Sequence, residues 1–175
     1  LNLREGDELI SVQMTDGSKE MIIGTKNGLM IRFPETDVRI MGRTATGVKG
    51  ISLVGDDEVV GMEVLDETAD ILVVTKNGYG KRTYLDDPED GEAVYRITNR
   101  GGKGVKTMSI TEKTGALVAI KNVSDEDDLM IITKSGVAIR MAIEDLRVMG
   151  RATQGVKFIN LKNDSIAAVA KVMKE

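Results

Sequence analysis

The sequence has no cysteine, no histidine and no tryptophan, and among its 175 residues only two Pro, two Phe and three Tyr. Without Cys or His there can be no thiol nucleophile, no disulfide framework, no zinc finger and no Ser-His-Asp triad. A hard-cation site built from carboxylates stays open on composition alone. No apolar run approaches the roughly 18 residues that a membrane span needs, so no membrane partner is expected. The lack of cysteine is compatible with a cytoplasmic setting. Leu1-Asn2-Leu3-Arg4-Glu5 offers neither an initiating Met nor the charged and apolar regions of a signal peptide, and the chain reads as a segment of something longer. Charge of neither sign dominates. There are 24 Lys and Arg against 28 Asp and Glu, a net charge of −4 and a pI of about 5.1. Taken whole, that acidic balance argues against a nucleic-acid partner.

What is present is a repeat. Thr25-Lys26-Asn27-Gly28 returns as Thr75-Lys76-Asn77-Gly78 and as Thr133-Lys134-Ser135-Gly136. Downstream, Gly42-Arg43-Thr44-Ala45-Thr46-Gly47-Val48-Lys49 matches Gly150-Arg151-Ala152-Thr153-Gln154-Gly155-Val156-Lys157, with Asn99-Arg100-Gly101-Gly102-Lys103-Gly104-Val105-Lys106 between them. Each copy closes on an apolar strand: Val59–Met62, Leu117–Ile120 and Ile166–Val169. The repeats fall at 18–65, 68–123 and 125–172 within a single unit spanning 1–175. The middle copy holds a polar insertion around Asp86–Glu92, which belongs in a loop. Residues 1–17 read as the end of a preceding repeat, since Leu3–Met14 aligns with Leu53–Val64.

The apolar runs are short and β-branched, as in Met21-Ile22-Ile23, Ile71-Leu72-Val73-Val74 and Met130-Ile131-Ile132. They predict strands rather than helices. Lys-Asn-Gly between two such runs predicts a hairpin, with Asn-Gly supplying the two positive φ angles of a type I′ turn. The best helical candidate is a single turn near Glu144-Asp145-Leu146. Each repeat is therefore expected to form an all-β blade of about four antiparallel strands, as in a propeller. With so few aromatics its core must be Ile, Val, Leu and Met, and the ten Met are read as core filler.

Five basic columns persist through the copies: Lys26/Lys76/Lys134, Arg32/Arg82/Arg140, Arg39/Arg96/Arg147, Arg43/Arg100/Arg151 and Lys49/Lys106/Lys157. Segments 38–50, 95–107 and 146–158 hold three, four and three basic residues and no acid, while the other 136 residues hold 14 basic and 28 acidic ones. These three loops are also rich in glycine, which lets a backbone approach a ligand closely. Arg, Lys and bare backbone N–H groups are what phosphate oxygens need. The candidate DNA-binding residues are therefore Arg39, Arg43, Lys49, Arg96, Arg100, Lys103, Lys106, Arg147, Arg151 and Lys157. Contacts of this kind read no sequence. The scarcity of aromatics argues against single-strand stacking, so duplex DNA is the expected partner. Arg32, Arg82 and Arg140 are expected instead to pair with Glu20, Asp70 and Asp128 across the strands. The hairpin lysines are open to either reading. Asp86–Asp90 and Asp125–Asp128 are read as solvated loops, since neither has the calcium-loop pattern. Gly101-Gly102-Lys103-Gly104 has no following Ser or Thr and is not a nucleotide P-loop. No catalytic constellation and no metal site is found.

Val38-Arg39-Ile40-Met41-Gly42-Arg43-Thr44-Ala45-Thr46-Gly47-Val48-Lys49-Gly50-Ile51 resembles the recurring motif of the DNA gyrase A C-terminal domain. Thr75-Lys76-Asn77-Gly78-Tyr79-Gly80-Lys81-Arg82-Thr83 and Val148-Met149-Gly150-Arg151-Ala152-Thr153-Gln154-Gly155-Val156 are similar to stretches of the same family, and the resemblance runs through essentially the whole chain. It implies a β-pinwheel, a propeller-like ring whose neighbouring blades exchange a strand, here as a partial ring of three blades plus the end of a preceding one. It also implies a domain that wraps duplex DNA right-handedly around a basic rim, within a bacterial, cytoplasmic type II topoisomerase that introduces negative supercoils. The partners implied are the rest of gyrase A, and gyrase B. ATP and Mg²⁺ would serve elsewhere in the holoenzyme, and this chain would need no cofactor and perform no catalysis alone. Arg100-Gly101-Gly102-Lys103-Gly104 matches the core of the family's signature box, Gln-Arg-Arg-Gly-Gly-Lys-Gly, but follows Thr98-Asn99 and lies by chain order in a later blade. The alternatives are the corresponding C-terminal domain of topoisomerase IV and a protein-interaction propeller.

Overall fold

The computed structural model describes residues 1–66 and 69–174; the expected start of the second repeat at residue 68 lies outside them. The β-branched runs form eleven strands among the described residues. These are β1 (Glu20–Thr25), β2 (Leu29–Pro34), β3 (Val59–Val64), β4 (Asp70–Thr75), β5 (Tyr79–Thr83), β6 (Val105–Lys106), β7 (Leu117–Val123), β8 (Asp127–Thr133), β9 (Ala138–Ala142), β10 (Val156–Lys157) and β11 (Ile166–Met173). Single 3₁₀ turns at Glu35–Asp37 and Ile143–Asp145 follow β2 and β9.

Three hairpins, β1–β2, β4–β5 and β8–β9, nucleate three antiparallel sheets. Their turns differ from the type I′ expected. Gly28, Gly78 and Gly136 take positive φ (80°, 82° and 88°), whereas Asn27 and Asn77 do not. The amide of Gly28 donates to the Thr25 carbonyl at 3.0 Å, and that of Gly78 to Thr75 at 3.1 Å. Three residues rather than two therefore make each loop, a type I turn closed by a left-handed glycine. That arrangement needs only one residue without a Cβ.

The sheets run β3-β1-β2-β6, β10-β5-β4-β7 and β11-β8-β9. One outer strand of each four-stranded sheet comes from the following repeat. β6, from the second repeat, pairs with β2 at Leu29↔Lys106 and Met30↔Val105. β10, from the third, pairs with β5 at Tyr79↔Lys157 and Gly80↔Val156. The donated segment meets the same strand twice. It arrives through parallel bridges Arg32↔Ile97 and Arg82↔Val148 and returns antiparallel as β6 or β10. Each basic loop thus clasps the edge of the blade before it. Residues 1–17 form no strand. They reach the first blade at two places: the Gln13 side chain bonds the Met62 carbonyl (2.7 Å) and the Val64 amide (3.0 Å), and Asn2 donates to the carbonyls of Thr44 (2.9 Å) and Ala45 (3.2 Å) in the first basic loop.

The central sheet is buried on both faces, and strand alternation divides its residues. Ile71 and Val73 of β4 pack toward the first sheet with Ile22, Met30, Tyr95, Met108 and Ile120. Leu72 and Val74 pack toward the third with Leu129, Ile131, Ile143, Leu146 and Ile166. At about 1.5–3 kcal/mol per fully buried aliphatic side chain, these two inter-blade cores hold the blades together. A third cluster, Ile23, Ile31, Phe33 and Ile51, lines the far side of the first sheet.

The acidic column does what strand geometry suggested. Arg32 bonds Glu20 (2.5 Å), and Arg140 bonds Asp128 (2.7 Å). Arg82 lies 3.5 Å from Asp70 and also pairs with Asp125. Arg32 further ties the middle insertion to the first blade through Asp86 (2.6 Å) and the Tyr95 carbonyl (3.0 Å).

Strand exchange needs close backbone approach, and glycine provides it. Gly155 (φ +73°) would place a Cβ 2.7 Å from the Gly80 carbonyl oxygen, and Gly104 (φ +75°) would collide with the Met30 carbonyl. Gly104→Ala is therefore expected to destabilise the chain by about 2–4 kcal/mol in urea unfolding. It should also raise hydrogen exchange selectively at β6.

Candidate nucleic-acid interface

The three acid-free loops lie against one another as a row. Arg39, Arg43, Lys49, Arg96, Lys103, Lys106, Arg147 and Lys157 are exposed, and Arg100 and Arg151 are half-buried. None of these ten side chains takes part in an ion pair among the described residues, whereas eight of the other basic residues do. Lys26 of the hairpin column, for example, sits 3.5 Å from Glu58. Acids outside the loops thus pair with eight of the fourteen bases outside the loops, and with none of the loop cations, among the described residues.

The half-burial of Arg100 and Arg151 has a common cause. The Arg100 guanidinium donates to the carbonyls of Lys49 and Asp37 (the latter at 3.2 Å), and Arg151 donates to the carbonyl of Lys106 at 2.6 Å. Each arginine thus grips the lysine that occupies the last basic column of the preceding repeat. A serine returns the contact. The Ser52 amide and hydroxyl donate to the carbonyls of Gly102 (2.8 Å) and Gly101 (2.7 Å). Those of Ser109 donate to Thr153 and Ala152, both at 3.1 Å. The same three-bond latch therefore recurs at both blade junctions. It fixes the spacing of adjacent loops and turns separate charges into a continuous strip. A guanidinium has five N–H donors, so the latch leaves Arg100 and Arg151 donors for an anion.

Sequence spacing gives Arg100 and Arg151 the same role as the exposed arginines, and it passes over Ser52 and Ser109. A signal exists, since the serine recurs in two copies with Asn160 in the third. Its meaning depends on which carbonyls lie across the junction. The acidic runs expected to be solvated loops have structural partners: Asp86 holds Arg32, Asp125 holds Arg82, and Asp127 caps Ser124.

An arc of strand-exchanged blades edged by a basic strip without ion pairs among the described residues defines a propeller-like module with a cationic rim. Residues 19–66, 69–87, 92–124 and 127–173 match the family model of the DNA gyrase C-terminal domain, beta-propeller. The chain belongs to that family. It is 49% identical over its whole length to the DNA gyrase A protein of Staphylococcus aureus, and spans 19% of that relative's length. It superposes on a structure of the DNA gyrase A C-terminal domain with a TM-score of 0.88 and 26% identity, covering 99% of this chain and 57% of that one. It shares the fold of the C-terminal domain of DNA topoisomerase IV, with a TM-score of 0.87 and 23% identity over 98% of this chain and 52% of the other.

The latch separates two kinds of arginine. Truncating Arg100 or Arg151 to Ala is expected to cost about 1–2 kcal/mol of unfolding free energy. Truncating Arg39, Arg96 or Arg147 should change it by less than about 0.5 kcal/mol. Chemical denaturation of the five variants checks the division.

Proposed function

We propose that the chain binds duplex DNA through its phosphates along the rim formed by residues 38–50, 95–107 and 146–158, without reading sequence. Within DNA gyrase it would wrap the duplex so that strand passage introduces negative supercoils. The observation that carries this reading is the set of ten loop cations that form no ion pair among the described residues, held in one strip by the repeated latch. Lys and Arg at a phosphate release condensed counterions, and bare loop amides beside them add donors of the right kind. Bending duplex over a short site costs on the order of 1–6 kcal/mol. Three loops offset that only in part, so the chain alone binds modestly and wraps incompletely.

In this reading the chain is a DNA-binding module rather than a catalytic part, and it uses no cofactor of its own. ATP and Mg²⁺ act elsewhere in the holoenzyme. Its partners are the remainder of gyrase A, and gyrase B, in the bacterial cytoplasm on chromosomal DNA, with no membrane contact. No helix among the described residues is long and apolar enough to cross a membrane. The identity to a gyrase A protein, together with the regular loop motifs, supports gyrase over topoisomerase IV.

A salt titration of duplex binding tests the reading. The logarithm of affinity should fall linearly with the logarithm of salt, and each phosphate contact should contribute about 0.9 to the slope. Reversing three of the exposed arginines together (Arg39→Glu, Arg96→Glu, Arg147→Glu) should flatten the slope by about 1 per side chain while the fold persists. Salt-independent binding, or DNA retention unaffected by the triple reversal, would point instead to a protein-interaction propeller.

A further inference from the structure

One buried cation serves the rim without belonging to it. Lys81, on β5, is 0% exposed. Its Nζ lies 2.6 Å from the Gly150 carbonyl, 2.5 Å from the Arg151 carbonyl and 3.1 Å from Thr153 Oγ1, so all three N–H donors have acceptors. None is a carboxylate, and Lys81 joins no ion pair among the described residues. Thr153 itself donates to Gly150, through its hydroxyl at 2.9 Å and its amide at 3.3 Å. The ammonium therefore holds a tight turn at the tip of the third basic loop. The latch grips three of the same four residues from another side: Arg151 on Lys106, and Ser109 on Ala152 and Thr153.

Among the described residues the other blades lack this tether. In the repeat alignment the position of Lys81 is Ile31 in the first copy and Ile139 in the third. At the first junction Ile31 lies beneath Gly102, beside a cavity of about 230 Å³ lined also by Tyr95, Asn99, Lys103 and Gly104. Gly102 stands where Thr153 stands in the next loop, so the hydroxyl acceptor is missing as well.

We infer that Lys81 is a positioning residue for the rim. Its buried ammonium fixes Gly150–Thr153 so that Arg151 and Lys106 face phosphate as one rigid unit, while the first junction, with Ile31 in that place, stays more compliant. This inference rests on the phosphate-track reading above. Burying an ammonium against neutral oxygens alone is costly, so a purely structural demand at this site would be met better by an apolar side chain, as Ile31 meets it at the first junction.

The protonation behaviour provides a readout that separates the two roles. Burial, reinforced by the like charge of Arg151, pushes the Lys81 ammonium down from 10.5 to about 8. Burial raises the Tyr95 hydroxyl, which is bonded to Thr107 at 2.6 Å, so it ionises later than an ordinary tyrosine, and the charged neighbour of Lys81 is Arg151. Between about pH 8 and the ordinary lysine value the folded chain binds fewer protons than the unfolded chain. Lys81 therefore weighs against stability at neutral pH and does so less as pH rises through that window. Its grip on the loop changes in the opposite sense, because charge-assisted hydrogen bonds are the stronger ones and are lost above about pH 8.

Lys81→Met removes the ammonium and keeps an unbranched apolar stem. Three measurements are made on the 175-residue chain: amide exchange at Gly150–Thr153 without DNA, the thermal midpoint, and affinity for a linear duplex at about pH 7 and pH 9, on either side of the Lys81 titration, in fixed salt. Exchange in that turn is expected to quicken by about tenfold, with the midpoint unchanged or higher. Affinity at neutral pH should fall by about fivefold, the order of one charge-assisted contact. The wild-type chain should lose more affinity between the two pH values than the variant does. Thr153→Val, which deletes one acceptor and leaves Lys81 in place, should move exchange and affinity the same way by less, and it decides the matter if Lys81→Met does not fold. Unchanged exchange in a folded variant overturns the tether. Faster exchange with unchanged affinity overturns the positioning role. Wild-type chain that binds duplex without salt dependence overturns the underlying reading, with the exchange data still reporting on the tether alone.

Discussion

The structure depends on one constraint: the outer edge of a blade is completed by the next repeat. β2 and β5 present backbone edges, and β6 and β10 cover them. An exposed edge is a liability in any β protein. Here, covering it also determines where the basic loop goes, because the loop is the connection between the parallel bridge and the returning antiparallel pair. Glycines at 104 and 155 make that approach possible. The segment that presents the cations is the segment that binds blade to blade, so the fold and the rim cannot be separated.

From this follows the division of charge. Strand residues face neighbouring strands, and there Arg32, Arg82 and Arg140 meet Glu20, Asp70 and Asp128. The loop cations turn away from the sheets and, among the described residues, meet no acidic side chain in an ion pair. A net charge of −4 thus coexists with a positive edge, and long-range repulsion between an acidic scaffold and DNA is screened beyond roughly 8–10 Å at ordinary ionic strength. Close contacts at the rim are less affected. The latch adds a second consequence. Arg100 and Arg151 couple each loop to the one before, so the spacing of the loop cations is set by the spacing of blades.

Much of this is legible in the sequence because it is periodic. Short β-branched runs mark the strands, the recurrence of Thr-Lys-Asn-Gly marks the hairpins, and the acid-free segments single out the rim. What escapes a reading of the residues concerns distances that no local pattern encodes. The hairpin turns take three residues rather than two, because the loop closes between Thr25 and Leu29, with Gly28 alone in the left-handed region. Ser52 and Ser109 look like ordinary small polar residues until Gly101, Gly102, Ala152 and Thr153 are seen opposite them. Arg100 and Arg151 are indistinguishable by spacing from the arginines that stay exposed. Lys81 sits at an apolar position of its column, and only the turn above it explains why a cation is there.

Affinity as a function of duplex length is the most direct measure of a continuous track. Electrophoretic shifts with linear duplexes of increasing length, at one salt concentration, should show affinity rising until the duplex spans all three loops and levelling thereafter. A duplex long enough for only one loop that binds as tightly as the longest would contradict the continuous strip.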